Sequence, residues 1–233
     1  MKISVINISG INPGKYNIKD ARLDQVDSIT KAKKKTYLQV EVVSQDAALD
    51  ADAIVTLKDS KTDLVLNDLE FVETRLARAT DDAEKTLLNK FKDVLEKDEL
   101  ISTMPLSDEE KRIISGYGLY TLKSVTLAEK SEPEDINALL VQALRESGYI
   151  SFFTTGEKET RAWLIKKGIS AWEAAGAIHS DIQKGFIRAE IISFDDFMNC
   201  GGETGAKQAG KLRLEMKDYL MQDADLVNFR FNK

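Results

Sequence analysis

The 233-residue chain has one cysteine, one histidine, three prolines and no long apolar run. Cys200 therefore has no partner for an internal disulfide, and with His179 as the sole histidine no Cys/His zinc site can be assembled. No stretch approaches the ~20 apolar residues that span a bilayer, and the opening MKISVINISG lacks the basic-then-apolar pattern of a secretory signal. The expectation is a cytoplasmic protein with no membrane segment and no metal.

What is present is ample for packing: 42% of residues are hydrophobic and 31% charged, enough for one or two ordinary cores. The net charge of −6 comes wholly from residues 1–148, with 21 basic and 27 acidic side chains, because residues 149–233 balance at 12 of each. An acidic chain does not hold polyphosphate non-specifically, so any RNA contact must be a local patch. The candidate partner-binding residues are Lys166, Lys167, Lys184 and Arg188, with His179 beside them and a further basic run at Lys31 to Lys35. For each the plainer alternative is a solvated face, and for His179 a hydrogen-bonded structural group. Nothing pairs visibly with His179 as a nucleophile, Trp163 and Trp172 read as core residues, and Cys200 reads as an ordinary thiol.

Residues 2–8 (KISVINI) alternate as a strand and run into Gly10, Pro13 and Gly14, where a turn is expected. Asp20 to Ile29 spaces Leu23, Val26 and Ile29 as an amphipathic helix, and Tyr37–Val43 and Ala53–Leu57 are β-branched strand candidates. Leu66, Leu69, Val72 and Leu76 form one helical stripe, and Leu87, Leu88, Phe91, Val94 and Leu95 a second, with Thr80-Asp81-Asp82 as the polar turn between them. Ser107 to Glu110 reads as a capping box, Leu122–Leu127 as a strand, and Glu134 to Glu146 as a helix stopped at Gly148.

Further on, Ile150–Phe153 and Arg161–Ile165 read as a hairpin, Ser170 as the cap of a helix over 171–177, and Phe186–Phe194 as a half-buried strand. Tyr219-Leu220 and Val227–Phe231 are expected to pair around Gln222 to Asp225. A mixed sheet crossed by one helix is the ubiquitin-like β-grasp shape.

The run GYISFFTTGEKETRAW from Gly148, followed by KGFIRAEIISFDDF, GGETGAKQAGKLRLEMKDY and DLVNFRFN, resembles the carboxy-terminal domain of the YchF (Obg-like ATPase) family. Sparser likeness comes from ARLDQV at 21–26, ADAIV at 51–55, TDLVLNDLEFVETRLARA at 62–79 and PLSDEEKRIISGYGLYTLKSV at 105–125. The resemblance implies an α/β plus α+β fold: a truncated P-loop-NTPase-like α/β sheet over 1–148 with an antiparallel helical hairpin inserted at about 62–115, then a TGS-like β-grasp domain over 149–233. It also implies relatives that bind ribosomes and act in translation or stress responses.

Phosphate chemistry is where the sequence parts from that family. A phosphate loop needs G-x-x-x-x-G-K-[ST], whose amides wrap the phosphates while the lysine and hydroxyl hold the terminal group and magnesium. Gly10-Ile11-Asn12-Pro13-Gly14-Lys15-Tyr16 is one residue too short and has tyrosine in the hydroxyl position, so Gly14-Lys15 is expected to be a plain turn. Gly205 to Lys211 fits G-x-x-x-x-G-K, but Leu212 follows and no apolar strand precedes it, so a helix flanked by glycines is expected. Ser44 to Ala47 lacks the Asp-x-x-Gly of the magnesium loop, and Ala128 to Lys130 lacks the asparagine of the base-reading segment. The reading is a non-catalytic binding or adaptor protein with no cofactor, contacting RNA, the ribosome or a protein partner. The alternative is residual ATP or GTP binding without hydrolysis.

Overall fold

A computed structural model describes residues 1–232. In chain order the strands and helices are β1 (Lys2–Ile6), β2 (Gly14–Ile18), α1 (Ala21–Thr30), β3 (Lys35–Thr36), β4 (Leu38–Val43) and β5 (Ala53–Leu57). The helical stretch follows as α2 (Lys61–Leu76), α3 (Asp82–Leu95) and α4 (Asp108–Ile113), then β6 (Ser124–Ala128) and α5 (Ile136–Glu146). The last third comprises β7 (Tyr149–Thr154), β8 (Thr160–Lys166), α6 (Ala171–Ile178), α7 (Ser180–Lys184), β9 (Phe186–Ile192), α8 (Phe194–Asn199), α9 (Glu203–Gln208), β10 (Arg213–Glu215) and β11 (Leu226–Phe231). None of the described helices is long and apolar enough to cross a membrane.

The chain forms two compact units, one of residues 1–16 with 40–147 and one of residues 17–39 with 148–233. The sequence reading places residues 17–39 in the first unit, because they follow its first strand directly. The structure gives them to the second, for α1 packs on β8 and α8, and β3 pairs in parallel with β8.

The first unit is built on a sheet in the order β2-β4-β1-β5-β6, with β1 parallel to both β4 and β5, and β5 parallel to β6. Ile54 and Ile6 bury one face of it against Ala48 and Leu64, and Tyr120 and Val125 pack alongside. The α3 stripe closes as expected, with Leu88 and Phe91 fully buried against α2 and the segment around Ile101 to Leu119, but α2 turns Leu64, Val65 and Val72 inward and leaves Leu66 exposed, so its stripe is shifted from the one the spacing predicts. Local chemistry sets the helix starts, since Asp81 caps α3 and Ser107 with Glu110 forms the capping box of α4. Asp68 is the buried exception to an apolar α2 face. Its carboxylate accepts from the Tyr120 amide at 2.9 Å and the Thr121 amide at 2.6 Å, tying α2 to the segment that leads into β6.

In the second unit the order is β10-β9-β11-β7-β8-β3. β7 and β8 make the expected antiparallel hairpin, β11 runs parallel to β7, and β9 lies antiparallel to both β11 and β10. α6, capped by Ser170 and Glu173, lays Ala171, Ala174 and Ala175 on one face of this sheet against Phe152, Ile191 and Phe229. On the other side, the α1 guanidinium of Arg22 stands 6.0 Å over the Phe153 ring and pairs with Asp223 at 2.7 Å.

Three local expectations change. Gly14-Lys15 begins strand β2, because the backbone there pairs with β4. Tyr219-Leu220 does not pair with β11; Leu220 instead bridges Ser170, while β11 is claimed by β9 and β7. Trp163 is half-buried as a core residue stacked on Phe152, but Trp172 is exposed on α6.

Candidate functional site

In an open parallel sheet, ligands bind beyond the carboxyl ends of the strands, where the strand order reverses. Here that place lies between β1 and β5, since the chain leaves β1 toward β4 and leaves β5 toward β6. The loops there are joined to one another. Asn7, held in the left-handed region at φ 58°, donates its side-chain amide to the Ser60 hydroxyl at 3.1 Å. The Ser9 amide donates to the Ser131 carbonyl at 2.7 Å, and Lys58 reaches Glu129 at 3.4 Å.

Residues 7–13 then lead into β2, so no helix start faces this crevice from β1. Tyr16, in the position of the hydroxyl ligand, donates to the Asn12 carbonyl at 2.9 Å and accepts from the Asn12 amide at 3.1 Å. Its hydroxyl is thus spent inside its own turn. Beyond β4, Gln45–Asp50 forms a 3-10 turn, and Ser4 fastens its start by donating to the Ser44 carbonyl at 3.2 Å. The β1–β2 connection does not gather amide, lysine and hydroxyl at a helix start, as a phosphate loop with its magnesium does. Among the described residues no three His, Cys, Asp or Glu side chains cluster as metal ligands.

The second glycine motif also has a structural explanation. Gly205 lies in α9, where a Cβ would stand 1.9 Å from the Cys200 carbonyl oxygen, and Gly210 adopts φ 69° just beyond the helix end. Close packing requires the first glycine, and a left-handed cap the second.

Two concavities lie elsewhere. An open groove of about 420 Å³ on the helical hairpin is lined by Arg75, Asp81, Glu84, Glu109, Ile113 and Tyr117. Three of its polar groups are matched to one another: Arg75 pairs with Glu84 at 2.6 Å, and the Tyr117 hydroxyl donates to the same carboxylate. These bonds hold the Glu84 carboxyl below its usual range, the Tyr117 bond first and the Arg75 bond second. A cleft of about 20 Å³ beside Glu190 and Phe197 has room for roughly one water.

The five candidate partner-binding residues do not form one patch. Lys166 ends β8 opposite Tyr149, whereas Arg188 lies opposite Arg230 near the far end of β11. From the register, the two positions are about eight residues apart along the strands, or roughly 25 Å. Lys184 ends α7 at the Arg188 end of the sheet, and His179 caps the start of α7 by accepting the Asp181 amide at 3.1 Å through Nδ1.

What pairing adds, and sequence reading missed, is Arg230. It sits across from Arg188, and Glu190 joins it at 2.9 Å and Arg188 at 3.9 Å. The Glu190 carboxyl is held below its usual range, first by the Arg230 hydrogen bond. Alternation in FIRAEII and LVNFRF puts both arginines on the polar strand face, but only the register shows that they meet.

Residues 149–232 match the family model for the YchF GTPase carboxy-terminal domain, described as a protein of unknown function (DUF933). A ribosome-binding ATPase YchF from Bacillus subtilis is 30% identical over 246 residues, covering 78% of this chain and 67% of that protein. The namesake from Escherichia coli O157:H7 is 57% identical over 82 residues, covering 35% of this chain and 23% of that protein. A solved structure of the Schizosaccharomyces pombe YchF GTPase superposes with a TM-score of 0.80 at 19% identity, covering 99% of this chain and 97% of that one, and so shares the fold. The chain spans about two thirds of the length of the longer-matching relatives.

Proposed function

The chain belongs to the YchF (Obg-like ATPase) family, and from that premise we propose that it is a ribosome-associated member acting by binding rather than by phosphoryl transfer. The observation that carries this reading is the run of residues 7–13 from β1 into β2, with Tyr16 bonded to Asn12 where a magnesium-binding hydroxyl would stand. Phosphoryl transfer relies on positioned amides and cations, and losing one such set costs about 3–4 kcal/mol of transition-state stabilisation. The second unit is read as a TGS-like β-grasp domain. Its order β8-β7-β11-β9-β10, with the parallel pair β7 and β11 at the centre and α6 across one face, supports that reading.

The contact surface assigned to the ribosome is the β9–β11 face carrying Arg188 and Arg230, with Lys184 beside it. Co-sedimentation with ribosomes tests it: wild type travels with the ribosomal pellet, and R188E/R230E is left in the supernatant. Equal pelleting of the two proteins removes this surface, and no pelleting of wild type removes the function.

The relatives are named ATPases, and the solved structure a GTPase, which favours a second reading, ATP or GTP binding, for which the expectation here is binding without hydrolysis. Calorimetric titration separates the two. No heat with either nucleotide at millimolar concentration supports pure binding to the ribosome, and saturable heat without phosphate release supports nucleotide binding.

A further inference from the structure

The outermost strand of the second-unit sheet, β10, pairs with β9 on one side only. It carries no proline, its charged residues Arg213 and Glu215 are of opposite sign, and the apolar side chains of Leu214 and of Met216 just beyond it stand in solvent, 56% and 62% exposed. A bare strand edge offers a row of N–H and C=O groups to another strand, and exposed apolar residues beside it favour such pairing.

We infer that this edge pairs with the same edge of a second copy of the chain, antiparallel, about a two-fold axis through Leu214. The sequence of the edge is the reason. Reversing residues 212–216 against themselves sets Leu214 opposite Leu214, Leu212 opposite Met216, and Arg213 opposite Glu215 on both sides of the axis. Alternation places the leucines and the methionine on one face and the charged pairs on the other. Directly opposed charges of unlike sign stabilise a sheet, and apolar pairs add to them.

Within one chain Arg213 lies 3.6 Å from Glu215, so both charges point from the same face; Arg213 also donates to the Tyr219 hydroxyl at 3.1 Å and lies 3.7 Å from Asp225, and pairing across the axis adds the second chain's Glu215 to these partners. A two-fold contact needs a self-complementary patch of this kind. The pairing is limited to five residues. The Met216 carbonyl already accepts the Tyr219 amide at 3.2 Å; one step further Lys211 would face Lys217, and the Lys217 carbonyl is taken by the Trp172 amide at 3.2 Å, where the chain turns away. A short interface makes a weak, concentration-dependent dimer.

The residue on the axis supplies the test, because Leu214 is exposed and its replacement leaves the fold intact. L214K puts lysine against lysine and L214E glutamate against glutamate, whereas a mixture of the two puts lysine against glutamate. In sedimentation velocity over a concentration series, wild type should self-associate. Each variant alone should bind itself about tenfold more weakly, and the equimolar mixture should recover association. Wild type that stays monomeric, for instance because the edge serves a foreign strand, overturns the inference. So do variants that dimerise as wild type does, or a mixture no tighter than its components.

Discussion

Replacing Leu23 by alanine tests whether α1 is a working part of the second unit. Leu23 is fully buried, and its helix packs on β8 and α8. The helix has little freedom to settle into a void, because Arg22 beside it is fastened to Asp20 at 2.8 Å and to Asp223 at 2.7 Å. Further along the helix, Ile29 lies so close to Gly202 that a Cβ there would come within 2.9 Å of its Cγ2. A leucine-to-alanine change costs about 2–5 kcal/mol, more where the surroundings cannot collapse, so about 3–4 kcal/mol is expected here.

Tryptophan fluorescence isolates the effect, because both tryptophans, Trp163 and Trp172, lie in the second unit. With a urea dependence of about 1–3 kcal/mol per molar, the fluorescence midpoint should fall by at least about 1 M. The control is Phe91→Ala in the hairpin core, expected to lower the circular-dichroism midpoint through a loss of about 3–5 kcal/mol. A fluorescence midpoint unmoved by Leu23→Ala would refute the assignment of α1 to the second unit.

Other outcomes follow from single contacts. Asp68→Ala strands the buried amides of Tyr120 and Thr121, at about 1–3 kcal/mol for each orphaned donor, and its thermal midpoint should drop accordingly. Burial pushes the Asp68 carboxyl above its usual range against the bonds from Thr121 and Tyr120. A raised folded value means that its contribution is complete below the unfolded value near about 4 and is lost as pH rises through the folded one. The stability of wild type relative to Asp68→Asn should therefore decline from acidic to neutral pH in urea titrations, and a rise would contradict the burial argument. Gly205→Ala, forced against the Cys200 carbonyl, should lose about 1–3 kcal/mol by overpacking, while Lys211→Ala should leave calorimetric traces with ATP and GTP unchanged.

Most helices were legible because their causes lie within a few residues. The stripe from Leu87 to Leu95, the polar turn at Thr80-Asp81-Asp82 and the Ser107–Glu110 box are local signals, and each appears where the spacing puts it. β2 was hidden because GKYNI carries turn residues and becomes a strand through its place beside β4. The region around Arg188 was half legible. Its own charge is plain in the chain, but Arg230 joins it from 42 positions away through a register that no local pattern encodes.

By itself, the sequence determined most of the helices, the caps at Ser107 and Ser170 and the β7–β8 hairpin, since periodicity, capping hydrogen bonds and turn chemistry act over a few residues. Only the tertiary structure decided which unit α1 and β3 belong to, which strand β11 pairs with, and which cations share a face. Those depend on burial and pairing between segments far apart in the chain, as when Arg22 meets Asp223 and Lys35 lines up with Thr160.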